Sequence, residues 1–136
     1  MRYDEVVAEF AVIVAEDPKY IYQPSQAAGM CLYVHRTDSG FLEPGCLIGQ
    51  WLHQSRRVPL AHLAREYEGE GVSDVLTGLI AEGLLPPPKP RDGVVVEEFL
   101  AVLQAHQDEG ETWVDAFELA QEAALSAERG DADDWE

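Results

Sequence analysis

Two amphipathic segments near the C-terminal end constrain the fold of this chain most. The first covers about residues 95–106 and the second about residues 112–128. In each, apolar side chains recur at steps of three and four residues, which is the period of one helix face. The stretch between them, residues 108–111, is too short for anything but a tight link. We therefore expect an antiparallel helical hairpin.

The same region carries most of the charge. Residues 92–136 contain fourteen of the 26 acidic residues and one basic residue, Arg129, so they contribute −13 of the formal net charge of −17. A field of this sign repels phosphate backbones and attracts basic protein surfaces or cations. The carboxylates that we expect to meet a partner are Glu97, Glu98, Asp115, Glu118 and Glu122.

The N-terminal part predicts a helix followed by a small sheet. Residues 4–16 carry an apolar stripe at helical spacing, and the helix must end before Pro18 because the residue preceding a proline resists helical angles. Residues 20–22 and 31–35 are rich in aromatic and β-branched side chains. That composition predicts two short strands, paired antiparallel.

Short helical segments are predicted between Pro44 and Gly83, and the proline-rich residues 86–90 form an extended strap. Gly45 and Gly49 would let another backbone approach closely. The prediction is a mainly α fold with a minor β part. It has about five helices, a small two-stranded antiparallel sheet and a C-terminal helical hairpin. Residues 1–129 would form a single globular domain, and residues 130–136 an acidic flexible tail.

The compartment is predicted from what the chain lacks. No apolar run approaches the roughly 18 residues of a membrane span, and Asp4, Glu5 and Glu9 interrupt any signal-like pattern. We therefore expect a cytoplasmic protein that does not bind membranes. Cys31 and Cys46 would be reduced thiols there, with a disulfide between them as the alternative.

Two cysteines and two histidines raise the question of metal or thiol chemistry. Cys31, His35, Cys46 and His53 offer the ligand types of tetrahedral zinc, but the cysteines are fifteen residues apart instead of two to four. Cys46 near a helix N-terminus could be an activated nucleophile with His35 and Asp38 as partners. No thiol-hydrolase motif surrounds it, and a small buried apolar role explains it as well. We assign no metal, no cofactor and no catalytic residue, and predict a protein that is not an enzyme.

Nucleic-acid binding is predicted to be absent. Helices near residues 46–54, 59–67 and 73–82 follow the outline of a winged helix-turn-helix. The helix in the reading position, residues 73–82, has two acidic residues and no lysine or arginine. Base readout and phosphate contacts both favour the opposite sign. We therefore expect no direct DNA binding.

An aromatic cluster offers a second kind of function. Tyrosines, one imidazole and one guanidinium around the predicted strands could hold a planar anionic ligand such as a nucleotide, since aromatic faces and cations suit such a molecule. No glycine-rich phosphate cradle accompanies them. The residues of this alternative site are Tyr20, Tyr22, Tyr33, His35 and Arg36.

Several short motifs occur together in one order. They are Tyr20-Ile21-Tyr22, Cys31-x-Tyr33-Val34-His35, Pro44-Gly45-Cys46-Leu47-Ile48-Gly49, Val58-Pro59-Leu60 and Gln107-Asp108-x-Gly110-x-x-Trp113-x-x-Ala116. Over about residues 16–116 the chain resembles small acidic proteins of unknown function from actinobacteria and their bacteriophages. The resemblance implies an accessory role with a host protein as the target, and it implies no activity or catalytic residues.

The sequence therefore predicts a non-catalytic, acidic interaction protein. In this interpretation it is phage-encoded and binds a basic surface of a host protein, with DNA-mimicking inhibition as the narrower form. The alternative is a small-ligand module that holds a nucleotide-like molecule in the aromatic cluster.

Overall fold

The structure, a computed structural model, describes residues 1–22 and 32–133. Within these residues it has six helices and two strands. In chain order they are α1 (Tyr3–Glu16), β1 (Val34–Arg36), β2 (Leu42–Pro44), α2 (Leu47–Gln54), α3 (Leu60–Glu66), α4 (Val72–Ala81), α5 (Gly93–Asp108) and α6 (Trp113–Asp133). The predicted mainly α class with a minor two-stranded sheet is confirmed, with one helix more than expected.

The predicted C-terminal hairpin is confirmed and forms the largest helix contact of the fold. α5 buries an apolar stripe that includes Val96, Phe99 and Leu103. The buried face of α6 is built from small residues at four-residue steps, Ala116, Ala120 and Ala124. Such small side chains let two helices approach closely, because little side-chain volume separates the backbones.

The link between the two helices has its own local determinants. Gly110 has φ +93°, a conformation that glycine adopts without steric cost. The hydroxyl oxygen of Thr112 accepts a hydrogen bond of 3.2 Å from the Asp115 N–H and so caps the start of α6. α6 then continues to Asp133, so the helix includes residues 130–133, which we expected in the tail.

A series of packed aromatic rings, separate from the alternative ligand site, joins α1 to the hairpin. The Phe10 ring of α1 stacks on Trp51 of α2 with centroids 5.1 Å apart. The same ring meets Phe99 of α5 edge-on at 5.4 Å. Phe99 in turn meets Phe117 of α6 at 6.0 Å. Phe10, Trp51 and Phe99 are fully buried, and the partly buried Phe117 packs against this core.

The sheet is confirmed as two antiparallel strands, but its second strand differs from the predicted one. β1 pairs with β2, with Val34 opposite Pro44, across a turn in which Gly40 has φ +87°. The expectation that residues 20–22 supply a strand of this sheet was wrong. A local hairpin turn already pairs β1, whereas Ile21 forms an isolated bridge with Thr112 at the start of α6. Cys31 lies outside the described residues.

Gly45 and Gly49 allow the close backbone approach that the sequence predicted. The Gly45 N–H donates to the Tyr33 carbonyl at 2.9 Å, and the Cys46 N–H donates to the Leu32 carbonyl at the same distance. A methyl group on Gly49 would overlap the Tyr33 carbonyl oxygen. α2 therefore lies directly against the chain that leads into β1.

The proline-rich strap, residues 86–90, is fixed to the start of α1. The Lys89 N–H donates to the Met1 carbonyl at 3.0 Å, and the Tyr3 N–H donates to the Asp92 carboxylate at 3.0 Å. These bonds position the strap beside α4 and the first turn of α5.

No helix among the described residues has both the length and the apolar content of a membrane span.

The contact at Gly49 predicts a large effect of one added carbon. Gly49→Ala should lower the free energy of unfolding by about 1–3 kcal/mol, because the methyl group meets backbone that cannot rotate away. Gly93→Ala is the matched control, since a methyl group there meets nothing within 4 Å. It should be neutral or stabilise slightly, by up to about 1 kcal/mol. Urea denaturation measures both, and equal stabilities for the two variants would contradict the proposed contact.

Candidate functional site

The outer face of α6 carries a row of carboxylates. Asp115, Glu118 and Glu122 are exposed and follow each other at steps of three and four residues. This spacing places them on one side of the helix. The buried alanines occupy the opposite side, so the packing of α6 against the core directs the row outward.

α5 contributes the other two predicted carboxylates. Glu97 and Glu98 are both exposed. The Ser73 hydroxyl of α4 donates a hydrogen bond to the Glu97 carboxylate. This bond links α4 to α5 and holds Glu97 at the boundary between them.

None of these five carboxylates pairs with a lysine or arginine among the residues whose side chains are described. The arginine ion pairs there join Arg2 to Asp4 and Glu5, Arg56 to Glu9, and Arg65 to Glu66. These pairs lie on α1, α3 and the end of α2. No lysine or arginine with a described side chain therefore neutralises these five carboxylates.

A groove lies between α4, the strap and α5, and we call it the α4–α5 groove. It consists of two neighbouring cavities of about 330 Å³ and 210 Å³ that share Ser73, Val94 and Glu97. The larger one is lined mainly by apolar groups, among them Leu76, Ile80 and Pro88. The smaller one ends at Glu98. Apolar surface and acidic groups thus meet in one place, which sequence periodicity does not reveal.

The aromatic residues of the alternative site are mostly engaged in the fold. The buried Tyr33 hydroxyl donates to the Glu70 carbonyl at 2.7 Å and accepts a hydrogen bond from the Gln104 amide at 3.1 Å. The buried Tyr22 hydroxyl lies 2.6 Å from the His35 Nε2 atom. Protein groups therefore already occupy the polar atoms that a ligand would use.

The other two residues of that alternative lie apart from this pair. Tyr20 packs edge-on against Trp113, with ring centroids 4.6 Å apart. The Arg36 guanidinium donates to the Gly40 carbonyl at 3.2 Å, within the turn between β1 and β2. Of the five residues, the structure brings Tyr22 and His35 into direct contact.

Cys46 is disulfide-bonded and fully buried, so the expectation of a reduced thiol was wrong. The chain has one other cysteine, Cys31, which lies outside the described residues. The hydrogen bond from Cys46 to Leu32 places Cys46 beside the residue that follows Cys31 in sequence. A disulfide sulfur is neither a thiolate nucleophile nor a thiolate ligand for zinc. The disulfide-bonded Cys46 can therefore act neither as the nucleophile nor as the zinc ligand considered from the sequence.

A group that sequence reasoning missed lies at the turn of the hairpin. The ligand-type atoms of His106, Glu109 and Glu111 all lie within 4.8 Å of one another. One imidazole and two carboxylates are suitable ligands for a transition-metal ion. Here the His106 Nδ1 atom contacts the Glu111 carboxylate directly, so a hydrogen bond between imidazole and carboxylate also explains the arrangement.

A second missed group braces α3 against α4. Tyr67 donates a hydrogen bond to Glu82, and His62 lies 2.9 Å from the same carboxylate. The bond to Glu82 raises the pKa of Tyr67 to about 12, and it lowers the pKa of Glu82. A tyrosine with a raised pKa is a poor base or nucleophile near neutral pH. The arrangement is therefore a structural brace, and its members are too far apart in sequence to form a motif.

Comparisons of the chain with protein-family models, with curated proteins and with solved structures each found no match. The resemblance to acidic actinobacterial and phage proteins therefore stays a prediction.

The disulfide of Cys46 should stabilise the fold measurably. Reduction should lower the free energy of unfolding by about 2–4 kcal/mol, since a cross-link restricts the unfolded chain. Urea denaturation with and without reductant measures the difference. Cys46→Ala is the control, because its stability should not respond to reductant. If reductant also leaves the free energy of unfolding of the wild type unchanged, the disulfide does not stabilise the fold.

Two tyrosines should ionise unusually late. Burial raises the pKa of Tyr33 to about 12, and Tyr67 reaches about 12 through Glu82. The native protein should therefore still hold neutral tyrosines above the ordinary pKa of about 10. Because both pKa values are raised on folding, their contribution to stability is present below about pH 10 and is lost between pH 10 and 12.

Tyrosinate absorbance during an alkaline titration, with circular dichroism in parallel, measures this effect. Tyr67→Phe should remove one late-ionising group, and the urea-unfolded chain should show all five tyrosines near pH 10. A native titration identical to the unfolded one would contradict the assignment.

Proposed function

We propose that this protein is a non-catalytic interaction protein whose acidic hairpin, α5 and α6, binds a basic surface of another protein. The observation that carries the proposal is the row Asp115, Glu118 and Glu122 on the outer face of α6. These carboxylates are exposed, lie on one face, and have no lysine or arginine partner among the described side chains. Glu97 and Glu98 extend the acidic surface onto α5.

The spacing of the row supports concerted action on a partner. At roughly 1.5 Å per residue, Asp115 and Glu122 are about 10 Å apart along the helix. That distance is close to the Debye length of about 8 Å at physiological ionic strength. A partner at the surface therefore meets the sum of neighbouring charges. Such fields mainly speed association, and they weaken as salt is added.

DNA mimicry is the narrower form of the proposal. One DNA strand places a phosphate about every 3.4 Å along the axis. The row on α6 places three carboxylates over about 10 Å, so its charge density is lower than that of a single strand. A mimic would need Glu97 and Glu98 to complete the pattern. The density therefore favours a basic protein patch of moderate charge over a strict DNA-binding cleft.

The resemblance to phage proteins bears on the partner and the compartment. If the protein is phage-encoded, the partner is a host protein, and the cytoplasm is where the two would meet. The disulfide of Cys46 points to an oxidising environment, where such bonds persist. The proposed contact is made by surface carboxylates and does not itself involve Cys46.

The proposal predicts that binding of the partner depends on where the carboxylates lie as well as on the net charge of the protein. Glu118→Lys with Glu122→Lys changes the net charge from −17 by two units per site to −13. The exposed pair Asp38→Lys with Glu43→Lys, at the β1–β2 hairpin, makes the same change elsewhere. Immobilised wild type, the α6 variant and the control variant would be incubated with an actinobacterial lysate and washed at rising salt. Mass spectrometry would then identify the eluted proteins.

We expect a basic protein that elutes with salt from the wild type and from the control. The α6 variant should lose at least about 90% of it, a tenfold weakening that corresponds to about 1.4 kcal/mol. Equal capture by all three baits, or capture that resists salt, would refute the role of the acidic row.

A further inference from the structure

We propose that the α4–α5 groove binds a short amphipathic segment of the basic partner. Its apolar side chains would enter the groove, and its lysine or arginine side chains would meet Glu97 and Glu98. This inference rests on the proposed function, because it names the kind of segment that the acidic hairpin recognises.

The groove has an apolar floor and a stiff wall. Leu76 and Val96 are buried at its base, and Ile80 is half-buried beside them. Pro88 and Pro90 of the strap form one wall. The Lys89 bond to Met1 holds this wall directly, and the Tyr3 bond to Asp92 holds the chain just after it. A wall held in this way is ordered before a partner arrives, so binding loses less conformational entropy.

Val94 is the position in the groove where contact with a partner would contribute most to the binding free energy. It lies on the first turn of α5, lines both cavities, and is 69% exposed, while its neighbours Val95 and Val96 are buried. An exposed valine between two cavities is apolar surface that another chain can cover. Two adjacent cavities can take two apolar anchor side chains, as when an amphipathic helix binds in a groove.

Acidic side chains at the edge of the groove favour a positively charged segment. Glu97 lines both cavities and Glu98 lines the smaller one. The Ser73 hydroxyl holds the Glu97 carboxylate at the border of the two cavities, so one acceptor is already oriented. Lys89 within the strap and Arg91 just after it line neither cavity. Positive side chains next to apolar anchors therefore match this site, and acidic ones do not.

The test uses a fluorescein-labelled peptide of about four helical turns, with leucine on one face and lysine beside it. A second peptide keeps every lysine and replaces each leucine with serine. Fluorescence anisotropy at low salt measures binding to the wild type and to Val94→Asp. The control is Val12→Asp on α1, where the valine is 65% exposed and lies outside the groove.

Val94→Asp separates apolar docking from simple attraction. The added negative charge should strengthen a purely electrostatic attraction to lysine. Docking of leucine in the groove predicts instead that the affinity for the leucine–lysine peptide falls at least tenfold. Val12→Asp should bind as the wild type does, and the serine peptide should bind more weakly to every protein. Thermal melts of both variants establish that they are folded.

The outcomes distinguish this inference from the proposed function. If Val94→Asp binds the leucine–lysine peptide as well as Val12→Asp does, while Glu118→Lys with Glu122→Lys abolishes binding, the groove inference fails and the acidic surface stands. If neither peptide binds the wild type at up to about 1 mM, the groove inference also fails, and the lysate capture alone decides the proposed function. Loss of binding in Val94→Asp with retention in Val12→Asp supports the groove.

Discussion

The contact of Phe10 with Trp51 and Phe99 is the interaction on which the rest of the fold depends. It joins the first helix, the central helix α2 and the hairpin helix α5 through three fully buried rings. Trp51 also donates a hydrogen bond of 2.9 Å to Glu9, which fixes the indole relative to α1. Losing a buried aromatic ring typically costs about 3–5 kcal/mol, against a total stability of about 5–15 kcal/mol for a domain.

The acidic surface follows from this core. α6 packs with alanines, so its opposite face must meet solvent, and that face carries the row of carboxylates. Concentrating negative charge on one hairpin opposes folding through self-repulsion. Functional surfaces commonly carry such a cost in stability. The apolar packing of α1, α2 and α5 against α6 can offset it, because burial is unaffected by the charge outside.

In the proposed function, the acidic row and the α4–α5 groove would combine two modes of recognition. Exposed carboxylates would act over a distance and attract a basic partner before contact. The groove would act at contact, through apolar surface near Val94 and an oriented carboxylate at Glu97. Long-range attraction mainly sets the association rate, whereas buried anchors set how long a complex lasts. A strap tied to α1 makes the groove depend on the same core that presents the row.

The sequence by itself determined the elements whose signals are local. Apolar periodicity defined the hairpin helices, and the same period placed Asp115, Glu118 and Glu122 outside. Only the tertiary structure decided which distant segments meet. It paired β1 with Leu42–Pro44, placed Cys46 in a disulfide, joined Tyr67 to Glu82 and formed the groove from α4, the strap and α5. Helix period depends on neighbours three or four residues apart, whereas these contacts join side chains that only packing of the whole core brings together.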